Sequence, residues 1–512
     1  MLNVRRRWTL LMVLAIVLLP PSVQPKEKSD LLAGVRAYRE AHAAEILAEL
    51  AALLRLPNLA ANLDDIRRNA EALRAMMERR GIRTELLPTT GGRPVVYGEL
   101  LAPAATTTLL FYGHYDGQPV EPSAWHSPPF EPTLRAGAGP AAEVIPLPAP
   151  GQPVGNEWRL YARSAADDKS PLVALLAALD ALRAQGVEPR VNLKFLFEGE
   201  EEAGSPHLEE FIPRERQRLA ADLLIIVDGP VHQSDRPTVF FGARGIMTLT
   251  LTVYGPSEPL HSGHYGNWAP NPAQRLAALL ATMEDDDGRV TLAGFYDDVE
   301  PLSEREREAL AAIPPVEDSL KQRYAIARPE GRGRRLAELI ALPSLNIRGL
   351  RSGWVGEQAR TLVPATATAE LDVRLVKGND HRRMYEKILA HIRAQGWTVF
   401  DREPTLEERR QHARVVRVVK HGGYNAVRTP MDLPIAQQLI AAVERGAGEP
   451  LVKLPTLGGS GPLHYFDELG IPSVGVPIVN FDNHQHAPDE NLRLGHFFRG
   501  IDIFASLLWW ED

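Results

Sequence analysis

The sequence of 512 residues contains no cysteine. This absence excludes disulfide bonds, metal sites built on thiolates, cysteine nucleophiles and an amino-terminal lipoprotein anchor. Any metal ion that the chain binds must therefore be held by histidine, aspartate and glutamate side chains.

The sequence also lacks a surplus of positive charge. Lysine and arginine total 57 residues against 65 aspartates and glutamates, which gives a formal net charge of −8. A nucleic-acid-binding chain normally presents a strongly basic face, so nucleic acid is not an expected partner. No internal repeat of fixed period is present. Hydrophobic and charged residues make up 44% and 24% of the chain, as in ordinary soluble proteins, and the length predicts two or three domains.

The amino terminus carries a short hydrophobic run. Arg5, Arg6 and Arg7 precede the apolar segment Trp8–Leu19, which is followed by two prolines. This order is typical of a secretory signal peptide, and the run is short for a membrane span. A small-residue cleavage site is not clear, so an uncleaved membrane anchor remains an alternative. We exclude residues 1–25 from the fold and expect a bacterial protein that is periplasmic or secreted.

Four apolar segments that are predicted to be strands end in side chains that can bind metal or move protons. The segments and the residues after them are Leu109–Tyr112 with His114 and Asp116, Trp158–Ala162 with Asp167 and Asp168, Val191–Phe197 with Glu201 and Glu202, and Leu223–Val227 with Asp228. Helical segments lie among them, which predicts an α/β fold with a mostly parallel sheet and helices on both faces. Such sheets bind ligands at the carboxyl ends of their strands, so these side chains are expected to converge there.

Each of these features also has a purely structural interpretation. A histidine and an aspartate at a strand end are often structural, an aspartate before a helix can be a cap, and the glutamates at 198–202 can form a solvated acidic loop. A cap needs only one acid, however, and two adjacent acids repel each other unless a cation is near. Accidents at all four strand ends are improbable together, and the set favours a metal site. Asp116, two residues from His114, can orient its imidazole.

The sequence pattern changes after Gly242. Alternating segments predict half-exposed antiparallel strands, and two amphipathic helices accompany them. These segments are Gly245–Tyr254, Pro272–Met283, Leu345–Arg351, Thr366–Leu375, His381–Gln395 and Thr398–Phe400. We therefore predict a separate α+β domain at residues 245–408, inserted between two parts of a catalytic domain at 26–244 and 409–512.

Six motifs in this order resemble the dinuclear-zinc exopeptidase family, which includes carnosinase, cytosolic nonspecific dipeptidase, glutamate carboxypeptidase, aminoacylase and succinyl-diaminopimelate desuccinylase. The motifs are GHYDG, the ADDK turn, EGEEEAGS, the strand-end Asp228, HSGHYGN and HAPDEN. The carnosinase-like dipeptidase branch is the most similar, over residues 30–510. The resemblance implies a zinc exopeptidase-like catalytic domain with an inserted lid and dimerisation domain, and hence a homodimer.

The resemblance implies two divalent metal ions, with zinc as the expected metal and manganese or cobalt as alternatives. Asp167 would bridge the two ions. His114 and Asp228 would complete one site, and Glu202 and His486 the other. His484, two residues before His486, would be a neighbour without a ligand role.

Further residues gain roles from the same resemblance. Glu201 would take a proton from the attacking water and pass it to the leaving amine, and Asp116 would orient His114. His261 would steady the tetrahedral oxyanion, often in the site of the other subunit. Arg374 would bind the substrate carboxylate, and Ser460 would lie in a substrate-contact loop. An exposed strand arginine and a surface-loop histidine are the corresponding structural alternatives for Arg374 and His261.

The sequence departs from the family pattern at four glycine positions in three motifs. Ser164 replaces the second glycine of the usual Gly-Arg-Gly run, Ser170 follows the DDK lysine, and Asn267 ends HSGHYGN. Ala162 stands where that run has its first glycine. None of these positions is a ligand, so the chemistry should survive while the substrate pocket can differ.

The expected activity is hydrolysis of an amide bond next to a free carboxylate, with dipeptides as the leading substrates. An N-acyl-amino-acid deacylase or a carboxypeptidase is the alternative within the enzyme class. A metal-free relative that acts as a binding or structural domain belongs to a different class, and the intact ligand set argues against it.

Overall fold

The structure is a computed structural model that describes residues 28–510. The predicted signal segment at residues 1–25 lies outside the described residues. Within residues 28–510, no helix combines the length and the apolar character needed to cross a membrane.

Helices occur along the whole of the described chain. They are α1 (Lys28–Ala41), α2 (Ala43–Leu54), α3 (Leu63–Glu78), α4 (Lys169–Ala184), α5 (Leu208–Arg214), α6 (Arg216–Leu219), α7 (Ser262–Tyr265), α8 (Pro272–Leu280), α9 (Glu304–Ala312), α10 (Glu317–Arg323), α11 (Leu336–Ile340), α12 (His381–Ala394), α13 (Leu406–Gln411), α14 (Pro434–Ala447), α15 (Leu463–Asp467) and α16 (Leu494–Leu508). Capping side chains define where two of these helices begin. Asn62 caps α3 by accepting the N–H groups of Asp64 and Asp65, and Ser303 and Glu306 form a capping box on α9.

The strands fall into several sheets. They are β1 (Arg83–Leu87), β2 (Val95–Leu100), β3 (Thr108–His114), β4 (Thr133–Arg135), β5 (Val144–Ile145), β6 (Arg159–Tyr161), β7 (Asn192–Glu198), β8 (Leu223–Ile226), β9 (Thr238–Phe240), β10 (Gly242–Ala243), β11 (Gly245–Tyr254), β12 (Leu260–His261), β13 (Ser344–Ser352), β14 (Leu362–Val363), β15 (Thr366–Leu375), β16 (Thr398–Phe400), β17 (Val415–Tyr424), β18 (Val427–Arg428), β19 (Val452–Leu454), β20 (Ser473–Gly475) and β21 (Asn491–Arg493). The largest sheet has eight strands in the order β1-β2-β7-β3-β8-β20-β9-β19.

The centre of the eight-stranded sheet is parallel. Strand β3 pairs in parallel with β7 and β8, and β20 pairs in parallel with β8. Antiparallel pairs occur toward its edges, between β1 and β2 and between β2 and β7. Parallel neighbours bring their carboxyl ends to one edge, which places the ends of β3, β7 and β8 side by side. The predicted mostly parallel sheet is confirmed.

Helices cover both faces of this sheet. Leu109 and Phe111 of β3 belong to a core that also contains α2, α4, α14 and α16. Leu110 and Tyr112 face the opposite core with α5 and α15, where the rings of Tyr112 and Phe466 lie 5.4 Å apart. Successive strand residues point to opposite faces, so this apolar run fills two cores at once. Each such fully buried side chain contributes about 1.5–3 kcal/mol to folding.

One predicted strand of the main sheet belongs to another sheet. The segment Trp158–Ala162 contains β6, which lies in a four-stranded antiparallel sheet with the order β21-β6-β4-β5. The prediction that it joins the parallel sheet is wrong. Its partner β21 comes from the far end of the chain, and Asn491 pairs with Tyr161. Periodicity reports a strand but not its partner, which explains the error.

A five-stranded sheet contains the alternating strands predicted for the inserted region. Its order is β13-β15-β11-β17-β16, and β11 pairs antiparallel with β15 along its whole length. Met247, Leu249 and Leu251 alternate into a core shared with α8 and α12. Strand β17 also pairs with β11 and extends to Tyr424. The sheet therefore continues past residue 408, where the sequence placed the end of the inserted domain.

Candidate metal centre

His114, at the end of β3, lies at the middle of the candidate centre. The residue is fully buried. Its Nε2 atom lies 2.9 Å from Oδ1 of Asp167, and its Nδ1 atom lies 3.3 Å from Oδ1 of Asp116. The two ring nitrogens therefore face different carboxylates, with Asp116 on the side away from Asp167. This is the arrangement in which one carboxylate orients an imidazole and leaves its other nitrogen to bind a metal.

Asp167 lies between two histidines. Its Oδ1 faces His114, and its Oδ2 lies 3.1 Å from Nε2 of His486. The same His486 nitrogen is 3.4 Å from Oε2 of Glu202, while Nε2 of His114 is 3.9 Å from Oδ2 of Asp228. The structure thus brings together all five predicted ligands, and one Asp167 oxygen points to each half of the set.

Two groups of ligand atoms are compact enough to hold an ion each. The atoms of Asp167, Glu202 and His486 lie within 4.8 Å of one another, and so do those of His114, Asp168 and Asp228. Asp168 was expected at this edge of the sheet but was not among the five predicted ligands. Its Oδ2 accepts the backbone N–H of His114 at 3.2 Å, which gives it a structural task as well. The peptide bond between Asp167 and Asp168 is cis.

Asp116 has a second function that the sequence did not reveal. Its two carboxylate oxygens accept the backbone N–H groups of Glu201 at 3.1 Å and of Glu202 at 3.0 Å. It therefore holds the turn after β7, and it also lies 3.3 Å from Nδ1 of the imidazole after β3. One buried carboxylate sets the positions of the two adjacent glutamates relative to His114.

The pKa values of the acidic side chains show how negative the centre is. Burial, together with the nearby Asp167 carboxylate, raises the pKa of Asp228 to about 6 and that of Glu202 to about 7. Burial also raises the pKa of Glu201 well above its ordinary value, although His114 opposes the shift. Asp167 differs, because hydrogen bonds with His114 and His486 outweigh its burial and hold its pKa below the usual range.

This charge distribution fits divalent cations. Several buried carboxylates that face each other raise one another's pKa, and a cation between them removes that repulsion. Carboxylate and imidazole ligands without thiolates suit zinc and also manganese or cobalt. The two groups of residues present therefore fit divalent metal ions.

Arg374 and Ser460 line the same cavity as the ligands. The cavity has a volume of about 650 Å³, and Asp167, Glu201 and Asp228 lie in its wall. Nη1 of Arg374 donates a hydrogen bond to Oγ of Ser460 at 2.6 Å. The guanidinium is thus held in place, as a group that binds a substrate carboxylate should be.

His261 does not reach this cavity within one chain. It lies exposed in β12, where its Nδ1 accepts the N–H of Gly263 at 3.1 Å and its ring lies 4.6 Å from that of His264. The resemblance assigned it to a site that is often that of the other subunit, so its role remains a prediction. His484 lines the cavity but belongs to neither ligand group.

At two of the four positions where this chain departs from the family pattern, the backbone conformation explains why glycine is usual. Ser164 and Asn267 both have φ of 62°, in the left-handed region that favours glycine. Asparagine tolerates this conformation comparatively well, whereas serine is strained by about 1–3 kcal/mol. A hydrogen bond offsets part of this strain, because the hydroxyl of Ser164 accepts from Nδ2 of Asn58 at 2.9 Å. Ser170 is buried in the first turn of α4, and nothing in the structure explains its choice.

One cavity wall comes from a segment without a sequence signal. Leu310, Ile313 and Ile340, which lie in or beside α9 and α11, line the cavity together with the ligands. The sequence there is rich in charged residues and interrupted by prolines. No periodicity could have shown that these apolar side chains face the metal ligands.

The comparison with protein families gives one match to most of the chain. Residues 110–510 match the family described as peptidase family M20/M25/M40. Curated relatives include a Cys-Gly metallodipeptidase of Schizosaccharomyces pombe, 26% identical over 424 residues, which are 81% of this chain and 82% of that protein. The human Beta-Ala-His dipeptidase is 26% identical over 423 residues, which are 81% of this chain and 76% of that protein.

Solved structures with the same architecture agree. An M20 family metallo-carboxypeptidase from Sulfolobus solfataricus aligns with a TM-score of 0.74 and 30% identity, over 91% of this chain and 99% of that one. Human carnosine dipeptidase 1 aligns with a TM-score of 0.73 and 23% identity, over 94% of this chain and 98% of that one, and shares the fold.

Proposed function

Because the chain belongs to peptidase family M20/M25/M40, we propose that it is a metal-dependent dipeptidase that hydrolyses the amide bond next to a free carboxylate. The observation that carries the proposal is the cavity beside two compact groups of ligand atoms, where Asp167 lies 2.9 and 3.1 Å from His114 and His486 and Arg374 lies in the same wall. Relatives named as Cys-Gly and Beta-Ala-His dipeptidases support dipeptides as the substrate class.

The chemistry divides between the metal ions and the protein. When bound, two divalent ions, which we propose to be zinc, would polarise the scissile carbonyl and activate the attacking water. Glu201 takes a proton from that water and returns it to the leaving amine. Asp116 holds the Glu201 backbone in place, and Arg374 anchors the substrate by its terminal carboxylate.

Arg374→Ala should raise KM for dipeptides about 10- to 100-fold with a smaller change in kcat, because a charge-assisted hydrogen bond contributes about 1.5–3 kcal/mol. Steady-state kinetics with a dipeptide and with its carboxyl-terminal amide would measure this effect. The amide lacks the terminal carboxylate, so it should bind poorly to wild type, and its KM should rise little further in the variant. Arg79→Ala is the matched control, since Arg79 is an exposed arginine just after α3 that pairs with Glu49 at 2.9 Å. Equal losses for the dipeptide and its amide would contradict the assignment.

The edge of the five-stranded sheet supports a homodimer. Strand β13 is at that edge and exposes Leu350 at 60%, while Val355 just after it is 86% exposed and Trp268 is 79% exposed. Apolar side chains on an open strand edge favour pairing with another chain. A dimer would give the exposed His261 a route to the partner's cavity. A single-chain mass in light scattering would contradict this part of the proposal.

We further propose that the protein is exported in bacteria, on the basis of the arginines and the apolar run at residues 5–19. The absence of cysteine is compatible with an oxidising compartment, because no disulfide has to form. Amino-terminal sequencing of protein from the periplasm and medium would test export and cleavage together. An intact protein found only in the cytoplasm would contradict it.

The function is tested by stripping the protein with a chelator and restoring zinc or manganese before assay. A panel should contain dipeptides, an N-acyl amino acid and a longer peptide with a free carboxyl terminus. We expect dipeptide hydrolysis only with metal, and about two ions per chain. Preference for the longer peptide or the acylated amino acid would favour a carboxypeptidase or a deacylase. Metal content well under about one ion per chain, with no hydrolysis, would indicate a metal-free binding protein.

A further inference from the structure

Glu490 is a fully buried carboxylate beside the metal centre. Its Oε1 accepts the backbone N–H groups of Ala166 and Asp167, each at 2.9 Å. Its Oε2 accepts the N–H of Ser164 at 2.9 Å and a hydrogen bond from Nη1 of Arg163 at 2.7 Å. Three of the four bonds therefore hold the backbone of the turn that ends in Asp167.

Strand pairing explains why Glu490 meets this turn. Strand β21 starts at Asn491, which pairs with Tyr161 at the end of β6. The backbone N–H of Ala162 donates to the carbonyl oxygen of Glu490 at 3.2 Å, which continues the ladder by one step. Glu490 is thereby placed at the start of the Asp167 turn. Glu490 lies in the same loop as His486 and binds the backbone of Asp167. It therefore connects two predicted ligands that are far apart in sequence.

Glu490 accepts more hydrogen bonds than the neutralisation of its charge requires. Arg163 alone would provide a counter-charge, and it is itself fixed by stacking 5.1 Å over Trp125 and by donating its backbone N–H to Pro129 at 2.7 Å. The remaining three acceptor bonds go to a turn in which Ser164 has φ of 62°. A turn with such a strained residue needs surrounding contacts to keep one geometry.

We propose that Glu490 is a positioning residue that fixes Asp167 relative to His486 and thereby sets the affinity for metal. Glu490 does not line the cavity and is not a member of either ligand group. It acts through the backbone N–H of Asp167. Residues that orient metal ligands typically change metal affinity about 10- to 100-fold when they are replaced. The inference rests on the metal centre of the proposed function and adds a residue to it.

Glu490→Gln tests this role in the full-length protein. The amide keeps the size of the side chain, but its NH₂ group must face N–H donors, so at least one pair of bonds is lost. Competition with a chelator should show Zn²⁺ and Mn²⁺ affinities about 10- to 100-fold weaker than in wild type. At saturating metal, KM for the dipeptide should be unchanged, because Glu490 does not contact the cavity.

Asp502→Asn is the matched control for a general loss of stability. Asp502 is also a buried carboxylate, and it accepts a hydrogen bond from Nε of Arg39 at 3.0 Å, in contact with none of the metal ligands. It should lower the melting temperature while metal affinity stays at the wild-type value. Glu490→Asp is a second test if the glutamine variant does not fold, since it keeps the charge beside Arg163 but shortens the reach to the turn. It too should weaken metal binding.

The outcomes test the role of Glu490 separately from the presence of the metal centre. If folded Glu490 variants bind metal within about threefold of wild type, Glu490 has only a structural role and the inference is overturned. If Asp502→Asn weakens metal binding as much as they do, the effect is one of general stability and the inference is again overturned. Wild-type protein that binds no metal would overturn the proposed function and this inference together.

Discussion

Glu201→Gln is expected to lower kcat by about 10²- to 10⁴-fold while metal content stays at the wild-type level. The variant removes the proton acceptor and keeps the shape of the side chain. Glu201 lines the cavity and its Oε2 lies 4.0 Å from Nε2 of His114, yet it belongs to neither compact ligand group. Metal analysis and steady-state kinetics on the same preparation would measure both parts of the prediction.

The neighbouring glutamate provides the control for this experiment. Glu202→Gln changes the same functional group one position along the chain, and both residues donate their N–H to Asp116. Because Glu202 lies in the ligand group with Asp167 and His486, its variant should lose metal as well as activity. Near-normal turnover in Glu201→Gln, or metal loss equal to that of Glu202→Gln, would show that Glu201 is not the base.

Asp167→Asn should reduce bound metal from about two ions per chain to below about one, because in the proposed centre Asp167 is shared by the two sites. Its oxygens lie 2.9 and 3.1 Å from the Nε2 atoms of His114 and His486. Activity should fall by at least about 10³-fold, which corresponds to the loss of several kcal/mol of charge stabilisation in the transition state. Metal titration monitored by calorimetry and kinetics with excess metal would measure the two effects.

Asp168→Asn is the comparison that identifies the bridging residue. The asparagine oxygen can still accept the backbone N–H of His114, as Oδ2 of Asp168 does at 3.2 Å. If Asp167 bridges, the Asp168 variant should keep at least one tightly bound ion and much of its activity. The reverse pattern, with metal lost only in Asp168→Asn, would assign the bridge to Asp168, which lies in one ligand group with His114 and Asp228.

The parts of the site that sequence could predict are those fixed by local pattern. A buried apolar run followed by a histidine and an aspartate predicted β3 and its carboxyl-end position correctly, since parallel strands align these ends. The spacing of His114 and Asp116 likewise placed the two side chains together, with Nδ1 and Oδ1 3.3 Å apart, and the orienting role of Asp116 stays a prediction. These conclusions need only the two-residue period of a strand and the rule for open α/β sheets.

The parts that sequence could not predict depend on contacts between distant segments. Glu490 belongs to the HAPDEN motif, but the motif does not reveal its hydrogen bonds, because they lie across a gap of more than 300 residues. The second role of Asp116 depends on the way the β7 turn folds back to it. The placement of β6 failed for the same reason, since its partner β21 lies near the end of the chain. Apolar residues near α9 join the cavity through packing that no periodicity encodes.

The late position of β21 has a consequence for the order in which the enzyme becomes active. Four ligands lie between residues 114 and 228, but His486 and the β21 pairing come from the last part of the chain. A nascent chain can therefore bring His114 and Asp228 together long before His486 is made, and the long separation in sequence makes the final closure slow. Metal loading should finish only after synthesis, so protein made under metal starvation accumulates as an intact chain that becomes active when metal is supplied.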